Sequence, residues 1–235
     1  MDISEYEMRI AELERENRIL KQKLARAEDN RAILEEALET HSNALKVRNS
    51  ELERSRELIR ESETRYRNLA HHDILTGLKN RIFLYEQMER VLAEGRRKTA
   101  GGALIYADLD DFKPINDRFG HEAGDTVLKE TAKRLLSCVR KDDIVARIGG
   151  DEFAILIPGI SDHSELALIA EKIISVMKRS IVIKGRYYKT GVSIGISVYP
   201  ADGDDPEKLL QKSDLAMYNV KKSRSSGYCF YSDIA

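Results

Sequence analysis

Arg147-Ile148-Gly149-Gly150-Asp151-Glu152-Phe153 interrupts two apolar runs, Ile-Val-Ala before it and Phe-Ala-Ile-Leu-Ile within and after it. Two short runs divided by Gly-Gly predict a β-hairpin, because a tight primed turn needs positive φ at its central residues. Glycine also leaves bare backbone that a ligand can approach closely. Two consecutive acids at the mouth of a strand have no structural duty in such a turn, so Asp151 and Glu152 mark a site.

Upstream, Ala103-Leu-Ile-Tyr-Ala107 predicts a buried strand that runs straight into Asp108-Leu-Asp-Asp-Phe-Lys113. Acids at the exit of a buried strand are exposed by geometry. If this strand lies beside the hairpin, Asp108 converges with Asp151 or Glu152. Carboxylates meeting at strand ends, with lysine nearby, suit Mg²⁺ carrying a nucleoside triphosphate, since Mg²⁺ prefers one or two carboxylates plus phosphate oxygens. Alone, Asp-x-Asp is more often a loop or a cap; combined with Gly-Gly-Asp-Glu-Phe it is a much stronger signal.

The rest of the globular part reads as alternating elements. Asn80 predicts an N-cap for a helix to about Glu94, followed by a loop over Arg96–Gly102. Helical spacing covers Gly124–Val139 and Ser164–Arg179. Tyr187–Val198 alternates like a strand. Asp205-Pro206 opens a helix to about Lys222, and Tyr228–Tyr231 reads as a last short strand. The expectation is an α+β domain with helices on one face of a mostly antiparallel sheet. About 165 residues suffice for its core.

Residues 1–70 contain no Pro or Gly. Ile10, Leu13, Asn17, Leu20, Leu24, Ala27, Arg31, Leu34, Leu38, His41, Leu45, Arg48, Leu52, Ser55, Ile59, Ser62, Tyr66 and Leu69 follow three-four steps, and Ile3 and Tyr6 extend them backwards. This heptad pattern predicts a left-handed coiled coil. In a parallel pair Arg9–Glu14, Glu16–Lys21, Lys23–Glu28 and Glu51–Arg56 would all attract across the seam, and Asn17 at an a position favours two strands in register. The reading is a parallel homodimer through residues 1–70, with the globular domain over 71–235; a solvated single helix and an antiparallel hairpin are the competing arrangements. His41, Arg48, Ser55 and Ser62 weaken the second half of the seam.

Of 235 residues 34% are charged, yet the net charge is -1, which argues against a nucleic-acid-binding arm. Two cysteines lack metal spacing and point to a reducing cytoplasm. No apolar run approaches membrane-spanning length, and no secretory signal is expected.

The segment from about His71 to Tyr231 resembles the GGDEF family of diguanylate cyclases. The resemblance rests on Asp73-Ile-Leu-Thr-Gly-Leu-Lys-Asn-Arg81, Asp108-Leu-Asp-Asp-Phe-Lys-Pro-Ile-Asn-Asp117, Gly120-His-Glu-Ala-Gly-Asp125, Arg147–Phe153, Ser193-Ile-Gly-Ile-Ser197 and Asp214-Leu-Ala-Met-Tyr218. It implies a central sheet similar to those of nucleotide cyclases and polymerase palms. It implies condensation of two GTP into cyclic di-GMP with release of two pyrophosphates, between facing subunits, with Mg²⁺ or Mn²⁺. Asp108, the Leu109 carbonyl and Asp151 would hold the metal. Glu152 would assist it or accept the hydroxyl proton. Gly149 and Gly150 would let the nucleotide lie on the hairpin. Lys113 and Lys221 would meet the terminal phosphates, Asn116 and Asp125 would read guanine, and His121 and Phe112 would line the pocket. Arg140 and Asp143 resemble the family's product-inhibition site. The family's Gly-Arg-Asn after the lysine is Arg224-Ser225-Ser226 here. A catalytically silent cyclic di-GMP sensor is the competing function.

Overall fold

The computed structural model describes residues 3–98, 100–222 and 226–235, with the side chains of Ile3, Glu5, Tyr6, 65–68, Arg96 and Lys98 set aside. The chain divides into two compact units, residues up to Thr64 and Arg65–Ala235. The first is helix only, part of α1 (Ile3–His71). An unbroken run of good helix formers with neither Pro nor Gly gives it no reason to stop. Its seam residues are exposed: Ile10 is 56% exposed, Leu24 60% and Leu38 70%. Arg9–Glu12 and Arg31–Glu35 pair along the helix surface. The seam positions Ile3, Tyr6 and Tyr66 lie outside the described side chains.

Asn80 organises the entry to the second unit. Its Nδ2 donates to the Ala70 carbonyl at 2.8 Å, and its Oδ1 accepts from Phe83 N at 3.0 Å, so one amide closes α1 and opens α2 (Arg81–Lys98). Helix α2 runs to Lys98, past the Glu94 end expected from sequence. The strands β1 (Lys79–Asn80), β2 (Gly102–Leu109), β3 (Ile144–Gly149), β4 (Glu152–Pro158), β7 (Val192–Tyr199) and β8 (Gly227–Phe230) form one sheet in the order β1-β3-β4-β2-β7-β8. The pairs β1–β3 and β7–β8 are parallel, and the others are antiparallel. Between β2 and β3 lie α3 (Phe112–Phe119) and α4 (His121–Cys138); α5 (His163–Met177), the hairpin β5 (Ile181–Ile183) and β6 (Arg186–Tyr188), and α6 (Pro206–Lys222) complete the unit.

Helices cover both faces of this sheet, not one. Leu84, Met88 and Leu92 of α2 and Leu209 and Met217 of α6 pack with Leu104 and Tyr106 on one side. Val127, Leu128 and Leu135 of α4 and Leu166, Ala170 and Ile173 of α5 pack with Ala103 and Ile105 on the other. Every residue of β2 and β7 is buried as a result. Each fully buried Leu, Ile or Phe contributes roughly 1.5–3 kcal/mol. The alternation around Val192–Val198 is therefore not a solvent face. Gly195 and Ser197 are small because α6 lies directly on them: a Cβ at Gly195 would strike the Ser213 carbonyl and Met217 N, and Ser197 Oγ donates to the Leu209 carbonyl at 2.9 Å.

Two helix ends carry side-chain caps of note. Asp205 Oδ1 accepts from Lys208 N at 2.8 Å at the start of α6. Arg134, buried on α4, donates to the carbonyls of Val176, Met177, Arg179 and Ser180, and so closes the C-terminal end of α5.

Candidate active site

The antiparallel register places Asp108, at the end of β2, directly across from Glu152, the first residue of β4. Leu109 N donates to the Asp151 carbonyl at 3.3 Å, which holds the hairpin turn beside the strand exit. Asp108, Asp151 and Glu152 thus converge. The turn lies one residue beyond its expected centre: Gly149 pairs with Glu152, so Gly150 and Asp151 are central, and only Gly150 has positive φ (52°). A Cβ on either glycine would meet nothing within 4 Å. The space above the turn is open, and a cleft of about 650 Å³ beside Gly149 is walled by Leu75, Arg81, Lys129 and Arg147.

Asp108 is 5% exposed, and Lys221 Nζ of α6 approaches its Oδ1 at 2.6 Å. Burial, with Asp151 and Glu152 adding negative charge, pushes the Asp108 carboxyl up to about 6 although Lys221 draws it down. Burial opposes the charge on Lys221, but Asp108 and Asp151 outweigh it and raise the lysine above its ordinary value. A buried carboxylate already coordinated by a cationic nitrogen, next to a second carboxylate and a backbone carbonyl, suits a hard divalent cation. Among the described residues no group of three or more His, Cys, Asp or Glu is gathered so as to hold a metal ion by itself. Mg²⁺ needs only one or two carboxylates when phosphate oxygens complete its shell.

Glu152 also meets Tyr106, two residues before Asp108 on the same face of β2. The phenol hydrogen-bonds the carboxylate, and burial together with that negative charge raises the Tyr106 hydroxyl well above its ordinary value. Arg81, Tyr85 and Asp214 complete a cavity of about 390 Å³ around this pair.

The guanine-reading candidates lie on α3 and α4, which meet at Gly120 (φ 86°). Asn116 Oδ1 is buried with no partner among the described atoms, against Gly124, where a Cβ would strike that oxygen and sit 3.1 Å from Phe112 Cζ. Asp125 follows Gly124, and His121 lies one turn earlier on the same helix. Phe112 is buried at the first position of α3, and Lys113 is exposed beside it. Asp111, left-handed at φ 53°, turns the chain from the Asp108 strand into that helix.

Arg140 and Asp143 are not part of this group. They form a turn at the opposite end of β3 from Gly149, with Arg140 N donating to Asp143 Oδ2 at 2.7 Å. Five steps of strand separate the two ends by about 17 Å. Arg224 and Ser225 lie outside the described residues.

Two participants escaped the sequence reading although their residues were quoted in it. Arg147 Nε and Nη2 donate to the Gly150 carbonyl at 3.0 and 2.7 Å, and Nη1 reaches both Asp73 oxygens at 3.1 Å. Asp73 in turn accepts from Thr76 N and Oγ1 at 2.9 and 2.6 Å. An arginine three residues before a glycine turn was the available signal.

A sheet of this order, with acids at the exit of its central strand and a bare glycine turn beside them, is the α+β arrangement found in GGDEF domains. The family model for the diguanylate cyclase GGDEF domain matches residues 70–226, and the chain belongs to that family. It is 39% identical over 173 residues to the diguanylate cyclase TpbB of Pseudomonas aeruginosa, covering 73% of this chain and 40% of TpbB. It is 36% identical over 200 residues to the bifunctional diguanylate cyclase/cyclic di-GMP phosphodiesterase MucR of the same organism, covering 85% of this chain and 28% of MucR. The chain thus spans less than half the length of these curated relatives. Among solved structures, the GGDEF domain of TpbB gives a TM-score of 0.67 at 40% identity, over 68% of this chain and 94% of that one. The coiled coil and GGDEF domain of DgcB from Caulobacter crescentus, in complex with c-di-GMP, gives 0.72 at 26% identity, over 79% and 98%. Among the described residues no helix is long and apolar enough to cross a membrane.

Proposed function

We propose that this chain is a diguanylate cyclase that condenses two GTP molecules into cyclic di-GMP and two pyrophosphates. The observation that carries the reading is the convergence of Asp108, Asp151 and Glu152 beside the open turn at Gly149-Gly150. In each half-reaction a ribose 3′-oxygen forms a bond to the α-phosphorus of the other GTP, and the bond to pyrophosphate breaks. Asp108, the Leu109 carbonyl and Asp151 would hold Mg²⁺ or Mn²⁺, which supplies charge neutralisation on the phosphates and eases loss of the hydroxyl proton. Glu152, steadied by Tyr106, accepts that proton. Lys221 exchanges Asp108 for phosphate oxygens, and Lys113 meets them from the first turn of α3. Asn116 and Asp125 select guanine: a carboxylate accepts from N1–H and the 2-amino group, a donor pair that adenine lacks. His121 and Phe112 line that pocket.

One domain holds one GTP, so turnover requires two domains face to face. The exposed seam of α1 supplies the means, as a parallel coiled coil raises the effective concentration of one domain beside the other. Cyclic di-GMP binding at Arg140 and Asp143 would restrain the enzyme, a coupling between two sites.

The test is to incubate the purified chain with GTP and Mg²⁺ and to separate the products, with Asp151→Ala alongside. Cyclic di-GMP from the parent alone is expected. Cyclic di-GMP binding without synthesis by the parent would replace the cyclase by a sensor.

A further inference from the structure

Asp110 lies between the proposed metal residues and the helix α3, yet both of its carboxylate oxygens are engaged elsewhere. Oδ1 accepts from Ser193 Oγ and Oδ2 from Ser226 Oγ, each at 2.7 Å. Its backbone N–H donates to the Gly191 carbonyl at 3.0 Å, and its own carbonyl accepts from Thr190 Oγ1 at 2.8 Å. Ser226 Oγ accepts in turn from Val192 N at 3.3 Å. The end of β2, the approach to β7 and the entry to β8 therefore close on one carboxylate. Thr190 and Ser193 are buried within it. Gly191 must be glycine for space, since a Cβ there would strike Ser226 Oγ and Asp110 Oδ2.

The arrangement bears on Leu109. Its carbonyl and the Asp110 N–H belong to one planar peptide, and in a trans peptide the two point in opposite directions. Fixing the Asp110 N–H on Gly191 thus fixes the direction of the Leu109 carbonyl.

We propose that Asp110 is a positioning residue for the nucleotide and its divalent cation: clamped by Ser193 and Ser226, it sets the peptide plane that aims the Leu109 carbonyl, and it is not itself a ligand. This rests on the reading in which Asp108 and Leu109 hold the cation. It also gives the Ser193 motif and the serine at 226 a task.

The experiment measures binding of a non-cyclising GTP analogue to the full chain by calorimetry, with Mn²⁺ and with EDTA. The variants are Asp110→Asn, Asp110→Ala and the double variant Ser193→Ala/Ser226→Ala, with melting recorded for each. An Asn side chain can accept from one serine and donate to the other, so Asp110→Asn should stay within about threefold of the parent. Asp110→Ala and the double serine variant should lose about tenfold or more in Mn²⁺, with little change in EDTA. The serine variant keeps the carboxylate and carries the measurement if Asp110→Ala fails to fold. Equal losses in Asp110→Asn and Asp110→Ala would make Asp110 a ligand and overturn the proposal. Parent-like binding by the serine variant, or an equal loss in EDTA, would overturn it as well. A parent that binds no analogue would remove the reading beneath it and the proposal together.

Discussion

The guanidinium of Arg147 joins the Gly150 carbonyl in the hairpin turn to Asp73, which lies 74 residues earlier in the chain. One side chain thereby fixes the glycine turn against the loop that follows α1. Both partners are largely buried, at 13% and 23% side-chain exposure.

Asp73 should give the fold a pH-dependent contribution. Burial opposes its charge, but hydrogen bonds from Thr76 and the Arg147 guanidinium outweigh this and hold the carboxyl below its ordinary value of 3.8. The stabilisation is fully present above that value and is lost as pH falls below it. Urea midpoints between about pH 6 and pH 2.5 should fall more steeply for the parent than for Asp73→Asn. Arg147→Ala should cost roughly 1–3 kcal/mol and reduce cyclase activity beyond that loss.

Asp108 has the opposite sign. Its folded carboxyl lies at about 6, above the ordinary 3.8, so between these values the folded state binds more protons than the unfolded state. Stability from this group should decline as pH rises from about 4 to 6 and level off beyond. Asp108→Asn should flatten that slope in EDTA while abolishing cyclic di-GMP formation, measured by urea titration and by product analysis.

Gly124→Ala should displace Asn116 and Phe112 together. Overpacking of this kind costs about 1–3 kcal/mol. The KM for GTP should rise, while circular dichroism at low temperature stays native. An unchanged KM would remove Asn116 from the guanine pocket.

Arg134→Met should remove the guanidinium from four carbonyls at the end of α5, of which Val176 keeps the Arg179 N–H as a donor. Charged hydrogen bonds of this kind are worth about 1.5–3 kcal/mol each, and part of the loss is recovered by solvent, so a cost of about 3 kcal/mol is expected. Chemical denaturation measures it.

Leu20→Glu with Leu24→Glu should dissociate the proposed pair of chains, as seen by sedimentation. Product formation per chain should then fall and depend steeply on protein concentration. Replacing His41, Arg48, Ser55 and Ser62 by Leu should tighten the pair and change the rate; an unchanged rate would make the polar seam functionally silent.

Much of this was legible in local sequence. Helix α1 could be read because nothing interrupts its pattern, and Asn80 and Asp205 could be read because a cap is a local hydrogen bond. The meeting of Asp108 with the hairpin acids followed once the two strands were taken as neighbours. Helix α3 was not expected, as its 8 residues are too few to show a helical period; Pro114 is tolerated because it lies in the first turn, where its missing N–H has no partner to lose. The second helical layer was hidden by Gly195 and Ser197 of β7, whose smallness marks close packing and not solvent. Arg134 and Asp110 could not be found locally, since the partners that set their roles lie 42 to 46 and 80 to 116 residues away.

Helix α4 begins with the guanine-reading candidates and ends just before the Arg140 turn. Its 18 residues make a rod about 27 Å long, and a hydrogen-bonded helix resists stretching far more than it resists tilting. Arg134 bolts that rod to the end of α5 one turn from its own C-terminus, and Lys172 Nζ adds a second fastening at the Cys138 carbonyl, 3.0 Å away. The rod is thus fastened by side chains near its Arg140 end, while Ala123, Gly124, Val127 and Leu128 seat its other end in the core, so the same packing that closes the end of α5 also fixes where His121 and Asp125 stand.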